Sequence, residues 1–297
     1  MRTRSRFLSA PRALISTPAL RHYSPAVALV QLAPGVYVWP QEPAAHGAAN
    51  AGVVVDADGI TVIDTLTVAS QFEPFAEAVE ALGLPVRRIV VTGDHIEFVG
   101  GTARFKLAAV YGSPAASAHL DQPPNPSVYR TLHPALADEL RDDMVTRPVS
   151  HVVAEATQLT PATTVVPVDG QSATNLVLLV PEADVLFAGA MACFGVTPLA
   201  FDGDPAAWAD SLDELAELAT VIVPGHGPVG GTAELADQAA YLRACVAASG
   251  DPGRIGPGPW DGWADRRWDE VNVERAALLA AGDRSIPSSM LRAAGLL

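Results

Sequence analysis

Two stretches of this chain follow one plan, β-branched runs first and helical periodicity after, and that succession limits the fold more than any other feature. In the first stretch GVYVW (35–39), AGVVVD (51–56) and GITVIDT (59–65) are strand candidates. VVVDADGITVID reads as a hairpin, since two β-branched runs flank Asp-Ala-Asp-Gly turn chemistry. QFEPFAEAVEALG (71–83) has apolar residues at helical spacing and a glycine stop. RRIVVT (87–92) predicts a strand, GGTARFKLAAVYG a loop running into a helix, and ASAHL (116–120) another short strand. The second stretch offers strands at TTVVPV (163–168), TNLVLLV (174–180) and DVLFAGA (184–190). A capped helix (204–219), the strand TVIVP (220–224), the turn GHGPVGG (225–231) and a helix (232–249) follow. Strands that bury a face need a layer on it. Two strand-rich halves, each followed by helices, predict an α/β (α+β) protein with two sheets covered on the outside.

Residues 121–150 are rich in proline and charge, with a helical stretch at LHPALADELRDD, and read as an insertion or lid. Beyond residue 250 lies a segment with three of the five tryptophans, ending in the helix RWDEVNVERAALLAAG. Trp260, Trp263 and Trp268 can each bury on the order of 200 Å², so this segment should pack on the domain or on a second subunit, giving a possible homodimer. The expected organisation is a tail over 1–26, a domain over 27–250 and a Trp-rich extension over 251–297. The first 24 residues carry five arginines and no acid, without an uninterrupted apolar core, which argues against a secretory signal. A floppy tail or an organelle transit peptide fits them.

The net charge of −14 argues against a nucleic-acid partner, which needs clustered Lys and Arg. No apolar run reaches the roughly 18 residues of a membrane span. The two cysteines, Cys193 and Cys245, are too few for a disulfide scaffold, and a reduced, cytoplasmic protein is expected.

Chemistry concentrates after the strands. In TGDHIEFVGG (92–101), His95 and Glu97 are two apart, so on extended backbone both side chains point the same way and can converge on one ion or water. Asp94 faces the opposite side or is turned inward by the loop. In VIVPGHGPVGG, Gly225 and Gly227 bracket His226 and let the backbone aim it. Cys193, near the end of LFAGAMACFG, reads as a buried, inert thiol or as a nucleophile, and Gln171 in DGQSATNL as a turn residue or a site residue.

In this order the pieces resemble the metallo-β-lactamase superfamily over roughly residues 30–248. NAGVVVDADGITVIDT matches its opening hairpin, with Asp64 at the usual aspartate, and TGDHIEFVGG sits where the family has T-H-x-H-x-D-H-x-G-G. DGQSATNL, LFAGA and PGHG occupy the later ligand segments. The resemblance implies a four-layer αββα sandwich, here with a C-terminal helical extension, and a site at strand ends between the sheets.

The resemblance also implies seven metal ligands, and this chain departs from them. The positions hold Gly93, His95, Glu97, Phe98, Gln171, Ala190 and His226, so only His95 and His226 are retained and Glu97 keeps the charge of an aspartate. A two-metal centre needs enough deprotonated donors for both ions, and none is expected here. What survives is a His₂Glu set, able to hold one zinc or iron ion, or none. The expected activity is hydrolysis of a small ester, lactone, thioester or lactam. His95, Glu97 and His226 carry it, and Asp94, Phe98, Gln171 and Cys193 line the substrate's place. A lyase, isomerase or cyclase in the same pocket is the alternative, and an inactive binding protein the third reading.

Overall fold

The computed structural model describes residues 28–297, so the expectations for residues 1–26 lie outside the described residues. The first sheet has seven strands whose spatial order follows the chain. Its antiparallel part is β1 (Val30–Ala33), β2 (Val36–Trp39), β3 (Ala51–Asp56) and β4 (Gly59–Ile63). The β3–β4 pair is the hairpin predicted from VVVDADGITVID, with Asp56 opposite Gly59. Helix α1 (Ala69–Glu80) then carries the chain back over the sheet, so β5 (Val86–Val90) lies parallel to β4. The one-turn helix α2 (Ile96–Val99), β6 (Ala109–Gly112), α3 (Pro114–His119), α4 (Pro126–Leu132) and β7 (His151–Val152) complete this half.

The second sheet begins with four antiparallel strands, β8 (Thr157–Thr160), β9 (Thr163–Pro167), β10 (Leu176–Val180) and β11 (Val185–Cys193). Helix α5 (Pro205–Leu215) returns the chain so that β12 (Val221–His226) pairs parallel with β11 at the sheet edge. Helices α6 (Thr232–Ala247), α7 (Asp269–Ala280) and α8 (Ser288–Ala293) follow. No helix among the described residues is long and apolar enough to cross a membrane.

Strand alternation builds the layers. Leu176, Leu178 and Phe187 point inward and meet Val36, Val54 and Ile63 of the first sheet. The sheets approach closely there, since a Cβ on Gly52 would lie 2.4 Å from the Phe187 ring. The alternate residues Val177, Leu186 and Ile222 point outward and are covered by Trp208 and Leu212 of α5 and Leu235 and Leu242 of α6. On the opposite side Phe75, Ala76 and Val79 of α1 cover Val53, Val62 and Ile89. Each fully buried large side chain contributes about 1.5–3 kcal/mol. The result is the αββα sandwich.

Three local expectations fail for identifiable reasons. ASAHL is part of helix α3, because Ser113 caps it by accepting the Ala116 N–H at 3.1 Å and Pro114 opens its first turn. LAAVYG holds no helix; its AVYG becomes β6, which adds to the β5 edge. In the insertion the regular helix is α4, capped by Asn125, while LHPALADELRDD keeps only a 3-10 turn over Pro134–Leu136. Pro134 pushes His133 out of helical backbone and ends α4 there.

The C-terminal segment packs on this chain's own layers. Trp260 belongs to the α5–α6 core, and Trp268 to a cluster with Leu132 of α4, Val271 of α7 and Met290 of α8. Polar clamps hold it there. Asn272 donates to the Pro198 carbonyl at 2.7 Å, and Arg275 donates to the carbonyls of Gly203 at 2.7 Å and Asp202 at 2.8 Å.

Candidate functional site

The site lies where β4, β5, β11 and β12 end. Thr92, two residues beyond the last strand pairings of β5, ties the ends of β4 and β5 to β11. It donates from N–H and Oγ1 to the Asp64 carboxylate at 2.8 and 2.6 Å, and its Oγ1 accepts the Ala190 N–H at 3.1 Å. Asp64 is buried at a left-handed backbone position, and burial pushes its carboxyl up to about 8 against the pull of the Thr92 hydrogen bonds. Its role is to join strands; it lines neither cavity described below.

From this joint the chain runs into His95, which is still extended backbone (φ −68°, ψ 153°) and caps α2 without a side-chain bond. Glu97 is already helical, so the i, i+2 argument for a shared direction does not apply. The two side chains meet all the same, with His95 Nδ1 3.9 Å from Glu97 Oε1. His226, at the end of β12, places Nε2 3.8 Å from the same oxygen. Asn50 fixes this strand end by donating Nδ2 to the carbonyls of Pro224 at 2.9 Å and Gly227 at 2.8 Å, on either side of His226. Gly227 is needed because its φ is +94° and a Cβ there would lie 1.9 Å from the Phe194 carbonyl oxygen.

Glu97 is 5% exposed, and its Oε2 is buried without a hydrogen-bond partner. Burial raises its carboxyl, but the imidazoles of His95, His226 and His133 outweigh that and hold it below the ordinary glutamate range. His95 moves the other way: burial lowers it, and the carboxylates of Glu97, Asp94 and Asp202 raise it above the usual histidine value. Burial, assisted by the neighbouring His46, takes His226 down to about 4, so it is neutral at pH 7. A carboxylate between a raised and a depressed imidazole is an acid–base constellation.

Asp94 is turned inward from the loop. It accepts from Thr174 Oγ1 at 3.0 Å and pairs with His119 Nδ1 at 2.7 Å. Gln171 accepts a hydrogen bond from Asn175 at 3.0 Å. The Cys193 thiol is buried and burial pushes it well above its usual range, which leaves it a poor nucleophile.

Two cavities meet at Glu97. The outer one has a volume of about 480 Å³, with a polar end at His46, Asp94, His95, Glu97 and His133. Its walls come from α4 (Val128, Tyr129, Leu132) and from the C-terminal segment (Trp268, Met290, Leu291). The inner one, about 30 Å³, is bounded by Phe98, Gln171, Ala190, Cys193 and His226, and it shares His46, His95 and Glu97 with the outer. Of the candidate substrate-lining residues, Asp94 faces the outer cavity, whereas Phe98, Gln171 and Cys193 face the inner one.

The sequence reading had not singled out His46, His133 or Phe201. His46 donates Nε2–H to the Thr197 carbonyl at 2.8 Å and lies 5.1 Å from the His226 ring, and burial depresses its pKa. Phe201 stacks on His95 at 5.3 Å. His46 sits in the loop segment AAHGAAN, which follows no apolar run, and His133 in the irregular insertion; neither has a strand-end signal to mark it.

The residues do not fit a dinuclear metal centre. A Cβ on Gly93 would lie 3.2 Å from the Ala190 Cβ and 3.3 Å from the Phe98 ring, so the three altered positions close on one another. The Phe98 ring also stands 5.8 Å from His226, where donors would be required. Among the described residues no group of three His, Cys, Asp or Glu is placed to hold an ion.

The profile of the metallo-beta-lactamase superfamily matches residues 45–226. Among solved structures, the DIM-1 metallo-beta-lactamase exposed to ceftazidime superposes with a TM-score of 0.59 at 16% identity, over 75% of this chain and 99% of that one. FIM-1 from Pseudomonas aeruginosa, in its mono-zinc form, gives 0.55 at 21% identity, over 72% of this chain and 95% of that one. A double mutant of the sec-alkyl sulfatase PisA1 gives 0.61 at 16% identity, over 86% of this chain and 50% of that one. Likeness at such identities establishes the fold. Trp268 and Met290 of the outer cavity lie beyond the matched residues.

Proposed function

We propose that this chain, which belongs to the metallo-beta-lactamase superfamily, hydrolyses an ester, lactone, thioester or lactam by acid–base chemistry centred on Glu97. One observation carries the reading: Glu97 borders both cavities, the outer of substrate size and the inner with room for a water molecule. Its lowered pKa keeps it a carboxylate at neutral pH, and its Oε2 has no hydrogen-bond partner among the described residues.

The steps follow from that placement. A water in the inner cavity gives a proton to Glu97 while its oxygen bonds to the substrate carbonyl carbon from the inner side. His95, whose pKa three carboxylates raise against the pull of burial, donates a proton to the leaving oxygen, sulfur or nitrogen as the carbonyl reforms and the scissile bond breaks. The proton on Glu97 then passes to His95 across their 3.9 Å separation, which restores both groups. His226, which burial takes down to about 4, packs against His46, whose pKa burial also lowers.

The test is a panel of neutral p-nitrophenyl esters, lactones and thioesters, with metal content measured on protein purified without chelator. Glu97→Gln should lower kcat by about 10²–10⁴ while leaving the fold intact. Chelator should leave wild-type turnover unchanged, and ¹⁸O from labelled water should enter the acid product. Turnover lost on chelation and restored by one equivalent of zinc or iron would replace the metal-free mechanism with a single-ion one. Product without ¹⁸O would point to lyase or isomerase chemistry instead.

A further inference from the structure

We propose that the outer cavity selects uncharged, largely apolar ligands of up to about twenty non-hydrogen atoms and rejects anions. The size follows from a volume of about 480 Å³ filled at protein-like packing density. The sign follows from the lining. Among the described residues neither lysine nor arginine borders the cavity, while the carboxylates of Asp94 and Glu97 both stand at its polar end. Burial shifts His46 and His133 away from the charged form. The two remaining imidazoles in the lining already face carboxylates, His95 with Nδ1 3.9 Å from Glu97 Oε1 and His119 with Nδ1 2.7 Å from Asp94 Oδ2. Arg267 lies over the Trp268 ring at 4.4 Å and pairs with Asp265 at 3.6 Å, and it is not part of the lining.

A ligand carboxylate or sulfate placed there would lose its hydration and find negative neighbours, with no guanidinium or ammonium to replace the water. An amide, ester or lactone loses much less and can accept from His95. The remaining wall suits a hydrocarbon portion, because Leu132, Trp268, Met290 and Ala294 form one apolar cluster joined by Leu199 and Phe201. Selectivity is thus built by the insertion and the C-terminal segment, outside the strands that hold the acid–base groups. The inference rests on the hydrolase reading for the bond that is cleaved, but not for what binds.

The experiment measures binding of octanamide, octanoate and octyl sulfate to the full chain by calorimetry and tryptophan fluorescence, without turnover. Octanamide should bind at least tenfold more tightly than either anion. Met290→Trp should weaken octanamide at least tenfold with an unchanged circular dichroism spectrum, and Leu132→Phe provides a second cavity-filling variant if the first misfolds. Asp94→Asn should tighten octanoate several-fold relative to octanamide. Equal or tighter binding of an anion overturns the proposal, as does octanamide binding that neither filling variant weakens. Selective octanamide binding without ester turnover would sink only the hydrolase reading. Ester turnover with indiscriminate binding would sink only this one.

Discussion

Replacing Glu274 should unlatch the C-terminal helix that closes the outer cavity. Glu274, on α7, accepts four hydrogen bonds from the start of α8. They come from the Ser288 N–H and Oγ at 2.9 and 2.7 Å and from the Ser289 N–H and Oγ. Burial raises the Glu274 carboxyl, but these donors outweigh it and bring it from 4.5 down to about 2. That difference corresponds to at most about 3 kcal/mol, and solvent screening of this half-buried group reduces it to about 1–2 kcal/mol. Glu274→Ala should therefore speed amide exchange over residues 286–297 about 5–30-fold at pH 7. The Arg292–Glu270 pair at 3.0 Å remains and limits the opening to a loosening. The folded-state pKa is depressed, so the unfolded segment binds more protons between about pH 4.5 and 2. The stabilisation is complete above about 4.5 and is lost as pH falls through about 2. Wild type and variant should accordingly differ at pH 7 and converge at pH 2. Unchanged exchange at pH 7, or a difference that persists at pH 2, would refute the latch.

Three other outcomes follow from single contacts. Asn50→Ala should cost about 2–3 kcal/mol by leaving the Pro224 and Gly227 carbonyls unpaired in the interior; a pH–rate profile displaced along with the melting temperature would show that Asn50 also positions His226. Trp268→Ala should cost about 3–5 kcal/mol in chemical denaturation, since its ring is 1% exposed between the cavity and α7. Gly93→His should destabilise the protein without conferring metal binding, read by melting and by elemental analysis, because the new side chain meets Phe98 and Ala190.

The strand pattern made the fold legible, and its failures have local causes. Alternation in VVVDADGITVID and LVLLV reported which faces are buried, and those faces are the ones that meet between the sheets and under the helices. Capping chemistry at Ser113 and a proline at 134 decided α3 and the end of α4 against weak periodicity. The polar pair in TGDHIEFVGG was visible as residue types, although the reason for their convergence was different: His95 projects from extended backbone and Glu97 from the first turn of a helix. His46 and His133 reach Glu97 from irregular segments through tertiary packing alone, and no periodicity encodes that.

Gly93, Phe98 and Ala190 form one packed unit. They are far apart in sequence, yet the space a side chain at 93 would need is taken by the other two. Restoring a carboxylate at 190 would bury a second acid beside Glu97, whose own charge already depends on neighbouring imidazoles. Restoring an imidazole at 98 would remove a ring that is 2% exposed and put a polar group amid Ala190, Val91 and Val99 in the same core. Each single reversion is opposed by the residues still in place, so the interior is stable as it stands. The acid–base groups left at its border, His95 and Glu97, are where it opens to a ligand.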